Sequence, residues 1–340
     1  MSKRLGALVA IVIALAACTP GAASPGASGA AGEQDTIFLG TGTTEAEAYM
    51  VPLLTMGREI LAEDGINLEY IALSSDEAVL AAIDRGRVDV ALLSSLGLNR
   101  AGEAGLSAKF VTGLQQHNPF VLVVPGDIDG LDDLRGKRVG IENPTSLAVS
   151  VAEELMRQQG GLEPSTDYEM VSLSGSGNRA AALQAGSLEA AILFRAVGQK
   201  LEDESEGRFK VWGGLWDVLD PMLWEGMAAS DAFRENDRLA KAFANAVMET
   251  SAQFYAGDPA TMAAKKDDHP ETSTLDVEGL TGDFELYQRI KLFPEDGGVS
   301  EAAWTGITEF LVRVGQLEEG QVVPYADAID PSFVEAARAE

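Results

Sequence analysis

The sequence predicts an α/β protein of two lobes, each a mostly parallel sheet covered by helices. Three observations carry this. From residue 35 onward, apolar and β-branched strand segments alternate with segments of helical spacing, the pattern of parallel sheets buried on both faces. The chain has 340 residues, more than one hydrophobic core usually serves, which is about 250–300. One segment also recurs. Ala81-Ala82-Ile83-Asp84-Arg85-Gly86-Arg87-Val88-Asp89-Val90-Ala91 is matched by Ala181-Ala182-Leu183-Gln184-Ala185-Gly186-Ser187-Leu188-Glu189-Ala190-Ala191. Each copy reads as a helix ended by a glycine cap, a tight step, an acidic residue and a buried strand.

The elements follow in order. Residues 36–40 read as a short buried strand, 45–63 as a helix and 67–72 as a strand. Ser74-Ser75-Asp76-Glu77 supplies cap-type residues for a helix over 75–85. Continuous apolar character makes 88–93 a strand, followed by strands at 109–114 and 120–124. A second run holds a strand at 138–141, a helix from about 145 to 159, a strand at 168–173, a helix at 178–185 and strands at 188–194 and 209–213. From about 230 the chain turns mostly helical, over 231–255, 275–290 and 300–314, and the last twenty or so residues read as a loosely packed tail.

The N-terminus carries Lys3 and Arg4, then an apolar run from Leu5 to Ala17, then small residues before Cys18. This is an export signal, too short to span a bilayer, which needs about 20 apolar residues. Leu15-Ala16-Ala17-Cys18 resembles the lipobox of bacterial lipoproteins, which implies cleavage after 17 and lipidation (palmitate included) of Cys18, the lone cysteine. Residues 19–34 are rich in Pro, Gly, Ser and Ala and read as a flexible tether with a reach of roughly 20–24 Å. The expected location is the extracytoplasmic face of a cell membrane, facing either a periplasm or the outside of a single membrane.

The formal net charge is −28, with acidic residues scattered rather than blocked. So acidic a chain repels nucleic acid and anionic lipid. With two histidines and one cysteine, a zinc site lacks ligands, so no metal or cofactor is expected.

Ala81–Ala91, Asp132-Asp133-Leu134-Arg135-Gly136-Lys137-Arg138-Val139-Gly140-Ile141 and Ala181–Phe194 together resemble the substrate-binding proteins of ABC importers, in particular the alkanesulfonate, nitrate and thiamine-pyrimidine-precursor group. The resemblance covers residues 35–254. It implies a type II periplasmic-binding-protein fold, with a ligand cleft between lobes at 35–124 plus 219–340 and at 125–218. It also implies a monomeric receptor that delivers a small molecule, an organic anion or a planar heterocycle, to an ABC permease and its ATPase.

In open α/β sheets, ligands sit outside the carboxyl ends of the strands. That rule points to Thr43 and Thr44, to Ser94 and Ser95, to His117, and in the second lobe to Thr145, Ser146, Phe194 and Arg195. Thr145 and Ser146 open a helix, where they either bind an anion or simply cap the helix. Arg195 can pair with a ligand carboxylate, sulfonate or phosphate, or with a surface acid. Trp212, Trp216 and Trp224 fall where the chain crosses back between lobes; they either stack on ligand or pack the hinge. Glu225 can hold a ligand amine or amide. His269 reads as a solvated loop residue.

An enzyme on this fold is disfavoured. Hydroxymethylbilane synthase and the eukaryotic thiamine-pyrimidine synthases use cysteines absent here, and no Ser-His-Asp spacing, Walker loop or metal cluster appears. The opening Gly40-Thr41-Gly42-Thr43 is mildly reminiscent of receptors of tripartite (TRAP/TAXI-type) uptake systems, which keeps that class and a ligand sensor as alternatives.

Overall fold

The computed structural model describes residues 35–339 except 44, 45, 74, 145 and 273–275. The expected signal, lipobox cysteine and tether at 1–34 therefore lie outside the described residues. The strands are β1 (Asp35–Thr41), β2 (Ile66–Ala72), β3 (Val90–Ser94), β4 (Lys109–Gln115), β5 (Phe120–Pro125), β6 (Arg138–Ile141), β7 (Glu169–Ser172), β8 (Ala190–Phe194), β9 (Phe209–Gly214) and β10 (Glu225–Ala229). The α-helices are α1 (Arg58–Glu63), α2 (Asp76–Asp84), α3 (Ser95–Glu103), α4 (Leu147–Gly160), α5 (Ser176–Gln184), α6 (Arg195–Glu204), α7 (Asp231–Arg234), α8 (Asp237–Ala256), α9 (Pro259–Ala264), α10 (Val277–Ile290), α11 (Glu301–Arg313), α12 (Tyr325–Ala328) and α13 (Ser332–Ala337).

Two five-stranded sheets share one plan, β2-β1-β3-β10-β4 and β7-β6-β8-β5-β9. In each, four strands run parallel and one inserted strand runs antiparallel to both neighbours. The inserted strands trade places: β5 leaves the first lobe to enter the second sheet, and β10 returns to the first. The chain thus crosses twice between lobes, and the crossings are tied where Met222 N donates to Gln116 O at 3.1 Å. Residues 120–124, expected with the first lobe, belong to the second sheet instead. Their apolar run specifies a strand buried on both faces but not the sheet that buries it.

The repeat has a definite physical content. Gly86 and Gly186 adopt φ of 63° and 72°, the left-handed values that close α2 and α5. In both copies the residue after the glycine donates back to the third-last helical carbonyl, Arg87 N to Ala82 O and Ser187 N to Ala182 O, at 2.9 Å. Then Asp89 Oδ2 accepts Phe38 N at 2.9 Å, and Glu189 Oε2 accepts Arg138 N at 2.8 Å. Each repeat therefore clamps its strand to a neighbouring parallel strand, β3 to β1 and β8 to β6.

Elsewhere the expectations are amended. The helix expected over 45–63 runs unbroken from 48 to 63, with a 3-10 first turn (Ala48–Met50), a π turn (Leu53–Gly57) and α1 as its last part. The helix expected over 231–255 is two, α7 and α8, each with its own capping side chain, Ser230 and Asn236. The C-terminal segment is not a loose tail: Phe333 is 4% exposed, and α13 packs on α8. Helices α3 and α6 and strand β10 had no sequence reading. β10 is Glu-Gly-Met-Ala-Ala, without β-branched residues, and is a strand because β3 and β4 bond it on both sides.

Candidate functional site

The carboxyl ends of the parallel strands, and the starts of β5 and β10, face one another across the lobes. Polar contacts bridge the lobes at this level. Gln316 Nε2 donates to Pro144 O at 3.0 Å, and Arg195 pairs with Asp283 at 3.6 Å.

The first-lobe wall centres on Glu225, the first residue of β10 and the register partner of both Ser94 and Gln115. Gln115, 3% exposed, donates from Nε2 to Glu225 Oε2 at 2.8 Å. Burial pushes the Glu225 carboxyl up to about 8, and the neighbouring charges of Asp76 and Glu142 push the same way. Glu47 is raised well above the carboxylate range by burial first, then by Glu225, Glu142 and Asp76, and its Oε2 accepts the Tyr49 hydroxyl. Asp76 is raised by desolvation and by Glu77 and Glu142, with Arg100 opposing. Its Oδ2 lies near Gly97 in the first turn of α3. Beside this group the Tyr70 hydroxyl meets Thr41 Oγ1 at 2.7 Å.

Glu142 follows β6 in the second lobe, so the four mutually repelling carboxylates come from both sides. On the second-lobe side the Phe120 and Phe194 rings stack, with centroids 4.3 Å apart. Ser176 Oγ accepts Phe194 N at 3.0 Å and is also bonded by Arg179, which is itself buried and bound to Ile192 O and Leu173 O. The stacked pair thus sits on a rigid base.

The other expected residues divide. Thr43 is exposed beside Tyr70, with side-chain contact to it. Thr44 and Thr145 lie outside the described residues. Ser94 is the N-cap of α3, accepting Gly97 N at 3.0 Å. Ser95 is fully buried and turned away, its Oγ donating to Leu223 O and its N–H to Trp224 O. Ser146 occupies the N-cap position of α4 but makes no side-chain capping bond. His117 is half-buried at the crossing, and burial lowers its imidazole pKa against the Trp216 backbone and Asp217.

Two expectations are corrected. Trp224 is 4% exposed, packed edge-on against Phe310 at 5.9 Å, and belongs to the core rather than the cleft wall. Arg195 is turned toward Asp283, a buried acid on the opposite lobe, rather than toward a surface acid. Trp212 Nε1 donates to Gln159 Oε1 at 2.9 Å, and Trp216 packs beside the hinge glycine Gly214, so neither tryptophan is set as a stacking face. His269 is not a free loop residue, since its Nδ1 meets Arg58 at 3.0 Å.

Sequence reasoning missed Glu47, Asp76, Glu142 and Gln115 as site residues. Asp76 read as a helix start and Glu142 as a loop, and their convergence has no signature along the chain.

A protein-family model matches residues 60–262, under the description NMT1/THI5 like. The chain belongs to the NMT1/THI5-like family. No curated protein sequence matches it. Solved structures share the fold. The ligand-binding component of an ABC-type import system from Staphylococcus aureus, solved with zinc bound, has a TM-score of 0.71 at 17% identity, over 89% of this chain and 99% of that one. The nitrate-binding protein NrtA from Synechocystis PCC 6803 gives 0.68 at 14%, over 90% and 89%. The alkanesulfonate-binding protein SsuA from Xanthomonas axonopodis pv. citri, bound to MOPS, gives 0.63 at 14%, over 88% and 99%. The family and these neighbours establish the two-lobed periplasmic-binding-protein fold. Among the described residues no helix is long and apolar enough to cross a membrane, and no group of three or more His, Cys, Asp or Glu could hold a metal ion.

Proposed function

We propose that this chain is an extracytoplasmic solute-binding receptor, not an enzyme, that closes its lobes on a small molecule and delivers it to an ABC permease and ATPase. The family, the fold and the site between strand ends support this reading. Lipidation of Cys18 would hold the receptor, as a monomer, at the membrane.

Within the two ligand classes expected from the sequence, the electrostatics favour a planar heterocycle bearing amine or amidine donors over an organic anion. The observation that carries this is the convergence of Glu47, Asp76, Glu142 and Glu225: Asp76 and Glu142 raise the charge cost of Glu225, and all three raise that of Glu47. An anion entering here raises further the cost of ionising these clustered, partly dehydrated acids, whereas a donor-rich cation favours their charged forms. Arg195, the expected anion partner, is occupied by Asp283. The stacked Phe120–Phe194 pair offers a flat apolar surface for a ring.

The test is a thermal-shift screen with sulfonates, nitrate, aromatic acids, aminopyrimidines, riboflavin, amino acids and aliphatic amines. A ligand at about 100 times its dissociation constant adds roughly 2.7 kcal/mol of stability. Stabilisation by aminopyrimidines or amines alone is the expected result. Hits confined to sulfonates or nitrate would overturn the ligand class, and turnover of a bound compound would overturn the receptor reading.

A further inference from the structure

Asp283 is a buried acid that the ligand site does not use. It lies on α10, whose Leu280, Phe284, Leu286 and Tyr287 are packed in the first-lobe core. Its residue is 5% exposed, and Oδ1 has no hydrogen bond. The nearest cation is Arg195 of the second lobe, the first residue of α6, with NH1 3.6 Å from Oδ1. The guanidinium lies over Gly282, where a side chain would put Cβ 3.2 Å from Cζ and NH2 and closer still to NH1. α6 and α10 are in contact here, so this is a point where the two lobes meet.

From this geometry we infer that Asp283 is a proton-operated element of lobe closure: closing buries it against Arg195, and it closes more readily neutral than charged. A carboxylate with one ion-pair contact beyond hydrogen-bonding range and no other bond on that oxygen is poorly compensated for lost water. In this structure burial lifts Asp283 to about 7; Arg195 opposes that rise and Asp276 adds to it. The other titratable group against it is Tyr287, buried and raised by desolvation, then by Asp283 and Glu47, so it stays neutral and adds no charge.

The sign follows. With Asp283 raised in the closed form and ordinary, about 3.9, when hydrated in an open form, the closed form binds more protons between those values. Closure is therefore favoured as pH falls from about 7 toward 4, by at most about tenfold per pH unit. Arg195 matters only while Asp283 is charged.

Small-angle X-ray scattering of the ligand-free full chain at pH 5.5 and 8.0 tests this and needs no ligand, so its outcome is independent of the proposed ligand class. The wild type is expected to expand at pH 8.0. The Asp283→Asn variant should stay compact at both pH values. Arg195→Ala should expand beyond wild type at pH 8.0 and match it at pH 5.5. Far-UV circular dichroism checks that each variant is folded, and Arg195→Gln serves if the alanine variant is not. The raised cleft acids Glu225, Glu47 and Asp76 also take up protons, so Asp283→Asn is the deciding variant. If it keeps the wild-type pH response, or if Arg195→Ala acts equally at both pH values, the inference is wrong.

Discussion

Gln115 donates a 2.8 Å hydrogen bond to Glu225, its register partner across the β4–β10 pair. The bond occupies Oε2 and holds the carboxyl at the mouth of β10 while other carboxylates press on it. Glu225 is thereby a fixed acid whose protonation state the cleft controls.

Protein stability should fall with rising pH because of it. Glu225 titrates at about 8 in the folded chain and near 4.3 when unfolded, so the native state binds more protons between those values. Its contribution is fully present below about 4.3 and lost as pH rises through about 8. Glu225→Gln should flatten the pH dependence and stabilise the protein at pH 8.5 by about 1–2 kcal/mol, less than the full shift implies because the residue is only half-buried. Urea unfolding at pH 5 and 8.5 measures this, and an unchanged slope would count against the assignment.

Binding of a cationic ligand should release protons near pH 7.5, because the cation stabilises the charged form of Glu225. Affinity should then rise with pH through about 8, until the ligand amine itself deprotonates. Calorimetry in two buffers of different ionisation enthalpy reads the proton count directly. Uptake instead of release would contradict the charge assignment.

Trp224 and Phe194 should separate under mutation. Trp224→Ala removes a core ring packed on Phe310 and should cost about 3–5 kcal/mol of stability. Phe194→Ala removes half of a partly exposed stacked pair and should weaken heterocycle binding by roughly tenfold with a smaller stability loss. Denaturation and binding isotherms on both variants decide; the opposite ranking would return Trp224 to the cleft.

The repeat should behave as two equivalent clamps. Gly86→Ala and Gly186→Ala meet no atom within 4 Å, so only the left-handed backbone is strained, at about 1 kcal/mol each. Asp89→Ala should cost about 1–3 kcal/mol by leaving Phe38 N–H without its carboxylate. Chemical denaturation of the three variants checks the pattern.

Much of the lobe plan was legible because it is local. Residues 138–141 are a strand as read, Ser75, one of the four cap-type residues read there, caps α2, and the Gly86 and Gly186 stops are where the helices end. Helix and strand periodicity, caps and left-handed glycines act within a few residues, so they are written in order along the chain. β10 was invisible for the opposite reason: Glu-Gly-Met-Ala-Ala has no strand propensity and is held only by partners more than a hundred residues away.

The site followed the same division. Strand-end reasoning led to Ser94, Phe194 and Arg195, because topology fixes which end of a parallel strand faces the cleft, and the lobe crossing led to Glu225. It did not find that Glu47, Asp76 and Glu142 converge on Glu225, or that Arg195 is taken by Asp283. The sequence by itself determined the two α/β lobes, their repeated helix–glycine–acid–strand segment and which strand ends face the cleft. Only the tertiary structure decided the sign of the cleft, since charge in a site is a sum over residues brought together through space, weighted by how much water each has lost.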